Sequence, residues 1–252
     1  MSGEIRFGEN AHEQLYELEA GNFWFRARNR LLLWAVATYF GEGPGRYLEI
    51  GCGTGFVLAA LEARFPALDL CGSEALEEGL ALAHTRVRRA RLERLDARAL
   101  PYTEAFELVG AFDVLEHIAE DREVLGEVRR ALAPGGLLFL TVPQHPSLWG
   151  PGDEYAGHAR RYTRPEMRGK LEEAGFEVLR LSSFVSVLLP LMVASRWKQR
   201  LRPSAYDPNT EFAIPGVMNR AFEAALGVER ALIQRGVDFP AGGSLLAVAR
   251  KC

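Results

Sequence analysis

Residues 48–55 read Leu48-Glu49-Ile50-Gly51-Cys52-Gly53-Thr54-Gly55, and this stretch decides the fold. An apolar run ends in three glycines at alternate positions, and a helix-like stretch opens at Phe56. Glycine adopts positive φ and has no Cβ, so the backbone N–H groups of such a turn can approach a ligand closely. The spacing departs from the G-x-G-x-x-G of dinucleotide sites, which places an NAD-dependent oxidoreductase behind other readings.

Working outward, short apolar runs recur at Tyr47 to Ile50, Leu68 to Gly72, Arg91 to Leu95, Leu108 to Phe112, Leu137 to Val142, Phe176 to Leu181 and Leu245 to Ala249. Between them, 56–63, 77–89, 121–132 and 165–174 carry helical periodicity. Strand-helix alternation predicts an α/β fold with a parallel sheet and its ligand at the strands' carboxyl ends. Ahead of the first strand, residues 11–40 predict two helices, a helical cover. The stretch 182–243 before the last strand is too long for a turn and must hold helices of its own. The whole chain, 1–252, is read as one domain with these two additions.

Two acids strengthen the glycine signal. Glu74, followed by Ala75, ends the second strand candidate, where a carboxylate can accept hydrogen bonds from both hydroxyls of a ribose. Asp96, followed by Ala97, ends the third and could accept from an adenine amino group.

In this order the motifs resemble those of the class I S-adenosylmethionine-dependent methyltransferases. Glu49 through Gly55 matches the acidic glycine-rich first motif, including Cys52 and Thr54. Glu74 matches the ribose acid, Asp96-Ala97 the adenine side, and Phe112-Asp113-Val114-Leu115-Glu116-His117 the segment after strand four. Leu132-Ala133-Pro134-Gly135-Gly136 matches the turn into strand five. The resemblance implies a Rossmann-like, seven-stranded, mostly parallel sheet with helices on both faces. Its last strand would be antiparallel, inserted between the fifth and sixth. It also implies S-adenosylmethionine as cofactor and S-adenosylhomocysteine as product, with Glu49 near the methionine amino group and Phe112 and Asp113 near the methionine portion.

Methyl transfer asks the protein to align an acceptor and take its proton. His145 and His158, in the loop after strand five, and His117 are the base candidates, because a neutral imidazole accepts a proton near pH 7. Phe23, Trp24, Trp149 and Tyr155 are candidate walls of an acceptor site, and Arg160 and Arg161 could hold an acceptor's carboxylate or phosphate. A loop cluster of the two arginines with Asp153 and Glu154 accounts for them equally. Asp113, Glu116 and His117 would share one side of a helical turn, as in a metal corner. Capping explains such a turn as well, and no metal is expected.

Net charge of −3 and pI near 6.0 provide no attraction to a phosphate backbone, so nucleic acid is not expected as a partner. Cys52, Cys71 and Cys252 form neither a disulfide framework nor a metal-ligand spacing, and with a polar amino terminus this predicts a cytoplasmic protein. The acceptor is expected to be a small molecule, with a quinone-like or lipid-like acceptor as second reading. That reading rests on the Glu116-His117 segment, similar to one in ubiquinone-pathway O-methyltransferases, and on 184–202. There an apolar block precedes Arg196, Lys198, Arg200 and Arg202 and would suit peripheral membrane contact or a homodimer face. The run Arg86, Arg88, Arg89, Arg91 and Arg94 reads as a solvated face. From another class, a non-catalytic S-adenosylmethionine sensor remains an alternative.

Overall fold

Alternating strands and helices from Gly45 onward assemble into the sheet that the sequence predicts. The computed structural model describes residues 11–201 and 214–252. Helices α1 (Ala11–Glu19) and α2 (Phe23–Tyr39) precede β1 (Gly45–Ile50). There follow α3 (Phe56–Arg64), β2 (Leu68–Glu74), α4 (Glu77–Arg86), β3 (Arg91–Arg94), β4 (Phe106–Phe112), α5 (Asp121–Ala131) and β5 (Leu132–Pro143). After a short α6 (Pro151–Tyr155) come α7 (Arg164–Glu173), β6 (Phe176–Phe184), α8 (Leu189–Leu201), α9 (Gly216–Gln234) and β7 (Ser244–Lys251).

The strand order is β3-β2-β1-β4-β5-β7-β6. β7 runs antiparallel to β5 and β6, and the other pairs are parallel. All seven strand candidates are strands. β5 starts five residues early because Leu132 pairs with Phe106 before the Pro134-Gly135-Gly136 turn bulges the register.

Both sheet faces are buried, as a parallel sheet requires. Successive side chains of β1 divide accordingly: Leu48 and Ile50 pack on α5 and α7 through Val124, Leu125 and Met167, while Tyr47 faces Leu31, Leu32 and Leu58 of α2 and α3. Each such side chain contributes about 1.5–3 kcal/mol on leaving water. The chain leaves β1 first toward β2 and β3, then returns to β4 on β1's other side. That reversal opens a crevice beyond the carboxyl ends of β1 and β4.

The connection between β6 and β7 holds α8 and α9, as its length demands. Glu223 of α9 receives Arg26 and Arg30 of α2, the latter at 2.6 Å, and Asn219 Oδ1 accepts the Phe23 N–H at 2.8 Å. The amino-terminal cover and the insertion are therefore clamped together over the crevice. Arg86 corrects the expected solvated run: it is largely buried, ion-paired with Glu19 and stacked on the Tyr16 ring at 4.1 Å, so it ties α1 to α4. Among the described residues no helix is long and apolar enough to cross a membrane. Arg202 and residues 1–10 lie outside the described residues.

Candidate active site

At the crevice, Gly51, Gly53 and Gly55 all have positive φ, at 62°, 51° and 76°. A Cβ on Gly51 would stand 2.6 Å from the Val114 side chain, whereas one on Gly53 would meet nothing within 4 Å. Gly51 is thus required for packing, and Gly53 keeps its backbone bare toward a ligand. Glu74, buried at the tip of β2, accepts the Gly53 N–H and the Leu76 N–H on separate oxygens, each at 2.9 Å. Each oxygen keeps a lone pair, so the carboxylate is fixed in place with capacity for two hydroxyl donors.

Glu49 lies beneath the loop, bonded by the Tyr47 hydroxyl at 3.1 Å. Burial pushes its carboxyl up to about 8, against the opposing effects of Tyr47 and Arg28. Opposite, Asp113 sits at φ 58° after β4 and is ion-paired with Arg28, whose guanidinium lies 4.7 Å over the Trp24 ring. Arg28 was legible only as a charge at a core position of α2, three and four residues before the buried Leu31 and Leu32.

Glu49, Gly51, Gly53, Glu74, Asp113 and Arg28 line one cavity of about 620 Å3, whereas Gly55 packs against Ala83 of α4. One end holds the glycine loop, Glu74, Ala75, Leu76, Leu95 and Ala97; the other is walled by Phe23, Trp24, Leu188, Met192, Ile214 and Phe222 from the cover and the insertion. Glu116, His117 and His158 line it as well.

Asp153 orders this part of the site. Its Oδ1 accepts His158 Nδ1–H at 2.9 Å and Arg161 Nε–H at 2.7 Å, and its Oδ2 accepts the Gly150 N–H. Burial alone would raise Asp153, but these bonds hold it down to about 2. An ionised Asp153 makes His158 Nδ1 the donor and leaves Nε2 as a lone pair. His117 packs edge-on against His158, with ring centroids 4.7 Å apart, and burial lowers it to about 3, so it stays neutral. Glu116 is buried with both carboxyl oxygens unbonded, and burial beside Asp113 holds its pKa well above the usual range. Glu116, His117 and His158 offer ligand atoms within 4.8 Å of one another, the arrangement among the described residues in which a cation could be held. Arg28 and Arg161 act electrostatically on Glu116 and already supply positive charge there.

Several sequence candidates stand elsewhere. Asp96, 42% exposed, spends its carboxylate on Arg98 and is outside the cavity lining, although Ala97 is in it. His145 is likewise outside, and its backbone, at φ 63°, donates to Tyr162 across the loop. Trp149 bonds Glu154, Tyr155 bonds Gln14, and Arg160 pairs with Asp121 at 2.8 Å, all away from the cavity. Asp113, Glu116 and His117 do not share a helical turn. Only Leu115–His117 forms a 3-10 turn, with Asp113 in the loop before it.

The sequence profile of the methyltransferase domain family matches residues 16–181. The chain belongs to that family. S-adenosylmethionine is the family's cofactor, and the residues fit it: a bare glycine loop, a fixed carboxylate with two free lone pairs and a buried acid at the loop's far side. This family member is 33% identical over 118 residues to the demethylmenaquinone methyltransferase of Thermus thermophilus, covering 44% of the chain and 54% of that relative. It is 25% identical over 268 residues to the 27-O-demethylrifamycin SV methyltransferase of Amycolatopsis mediterranei, covering 97% and 91%. Among solved structures it is similar to the [4+2]-cyclase SpnF, with a TM-score of 0.60, 25% identity and coverage of 90% and 83%. The chain spans 39% to 60% of the length of curated relatives that it matches at 31–33% identity.

Proposed function

We propose that this methyltransferase-family chain transfers a methyl group from S-adenosylmethionine to oxygen, nitrogen or carbon of a small acceptor with an apolar body, and that His158 takes the acceptor's proton. The observation that carries the reading is one cavity joining the glycine loop and Glu74 to the Asp153–His158 pair and then to an apolar chamber.

Bound S-adenosylmethionine supplies a methyl on a positively charged sulfur and leaves as S-adenosylhomocysteine. The chain's residues do the rest. Glu74 would hold the ribose hydroxyls, Leu76, Leu95 and Ala97 the adenine, and Glu49 the amino group. His158 Nε2 accepts the proton that the nucleophile sheds, and Asp153 stabilises the resulting imidazolium by keeping its charge beside Nδ1. Phe112 and the Asp113–Arg28 pair stand at the junction of the two halves.

The apolar walls favour a quinone-like or polyketide-like acceptor over a small acid. Among relatives, the names demethylmenaquinone methyltransferase and 27-O-demethylrifamycin SV methyltransferase fit this class, and trans-aconitate 2-methyltransferase represents the small-acid alternative. Methyl transfer from isotopically labelled S-adenosylmethionine to a panel of hydroxylated quinones, polyketides and small acids tests this. Turnover confined to the acids overturns the acceptor class. Binding of the cofactor with no transfer to any acceptor moves the chain to a sensor or to another catalysis, as the cyclase likeness illustrates. Thermal stabilisation by NAD but not S-adenosylhomocysteine removes the reading altogether.

A further inference from the structure

Helix α8 roofs the apolar end of the cavity, yet none of its residues is buried. Around its axis, at 3.6 residues per turn, Val193, Trp197, Pro190, Leu201, Ala194 and Leu191 follow one another through an arc of about 160°. Every one of them is exposed, Trp197 at 67% and Leu201 at 66%. Half-buried Met192, Arg196 and Gln199 occupy the opposite side, toward the body. The apolar stripe of this amphipathic helix therefore faces outward, the reverse of a helix that packs on its own domain.

Charge identifies what the stripe meets. The helix carries Arg196, Lys198 and Arg200 and no acid, in a chain whose net charge is −3. Lys198 lies at one end of the stripe, beside Leu191, and Arg200 borders the other. A two-fold contact between copies through this stripe would bring the flanking Lys198 and Arg200 of both helices to one seam with no acid on either helix to pair them, which like-charge repulsion opposes. An anionic lipid surface pairs the same charges while taking up the apolar side chains, and Trp197 has the amphipathic ring favoured at that boundary. With 13 residues the helix cannot span a bilayer, so it would lie in the surface.

We propose that α8 docks the chain on an anionic membrane surface and opens the acceptor end of the cavity toward it. Leu191 is the link, because it both lines the cavity and belongs to the exposed stripe. This adds a delivery route to the reading of an apolar acceptor and rests on that reading: the acceptor would be an amphiphile that partitions into lipid.

Vesicle sedimentation of the full chain tests the docking without any acceptor. Phosphatidylglycerol–phosphatidylcholine vesicles should carry the protein down, pure phosphatidylcholine should carry about tenfold less, and 0.5 M salt should release it. W197E and L201E should each lower binding to the anionic vesicles about tenfold while thermal stabilisation by S-adenosylhomocysteine stays unchanged. K198E should weaken binding less than either. Equal binding by the variants, no binding to either vesicle, or a solution dimer that L201E dissolves would each overturn the proposal. Failure of stabilisation by S-adenosylhomocysteine in the parent chain would instead count against the methyltransferase reading, so the two failures are separate.

Discussion

The glycine-loop end of the cavity and the helices that wall its far end use apolar surface in opposite ways. Every exposed large hydrophobic side chain among the described residues lies between Val187 and Val237, and none lies on the sheet or the helices between its parallel strands. Around Gly51 to Glu74, positions are fixed by positive φ, backbone hydrogen bonds to a buried carboxylate and close approaches that no Cβ permits. Along α8 the bonded side chains, Arg196, Gln199 and Arg200, are polar, and the apolar stripe is exposed. The glycine-loop end is determined many times over, and the outer face of α8 is left to whatever it meets. Substitutions should therefore cost much at one end and little at the other.

His158→Ala is the sharpest probe of the Asp153–His158 pair. It should lower kcat by about 10²–10⁴ while leaving the Kd for S-adenosylhomocysteine within about twofold. A parallel loss of cofactor affinity would mean that the dyad only shapes the pocket. Arg28→Leu leaves Asp113 unpaired beside the buried Glu116, and denaturant unfolding should report a loss of about 3 kcal/mol. A loss of a few tenths would place this pair with the dispensable surface ion pairs.

At the cofactor end, Glu74→Gln keeps the shape of the side chain and removes its charge. Calorimetry should show S-adenosylhomocysteine binding about 10- to 100-fold weaker, and unchanged affinity would separate Glu74 from the ribose. Glu49 gives a smaller, pH-dependent effect. Because burial holds it at about 8, the folded, ligand-free chain keeps a proton that an unfolded glutamate sheds above its ordinary 4.5. Its contribution to stability therefore falls as pH rises through that window and is flat above it. An ammonium beside it should expel the proton, so cofactor binding at pH 7 should release protons in calorimetry run in buffers of different ionisation heat. The release should vanish in Glu49→Gln and shrink by pH 9. Smallest of all, Leu201→Ser should change unfolding free energy by no more than about 0.5 kcal/mol. A large loss there would erase the contrast between the two ends.

The strands and the glycine-loop end of the cavity were legible because their signals are local. Tyr47 to Gly55 announces strand, turn and helix through apolar run, glycine spacing and helix start, and Glu74 falls in place because β2 must lie beside β1. The rest of the cavity was legible only in part. His158 stood out as an imidazole in a loop at a strand end, but so did His145, and only the folded loop puts one in the cavity wall and the other outside it. Asp96, Trp149, Tyr155 and Arg160 had the right chemistry and the right neighbourhood, yet each is taken by a partner that sequence spacing does not reveal.

Read alone, the amino-acid order determined the seven strands and the glycine turn after the first, while the antiparallel last strand came from the resemblance to class I methyltransferases. Strands and turn depend on periodicity and on backbone freedom, which neighbouring residues carry among themselves. Tertiary structure decided that Arg28 holds Asp113 across 85 residues, that Asp153 aims His158, and that α8 turns its apolar side outward. Such choices are settled by competition among distant groups for the same hydrogen bonds, charges and buried surface, and that competition exists only once the sheet has brought them together.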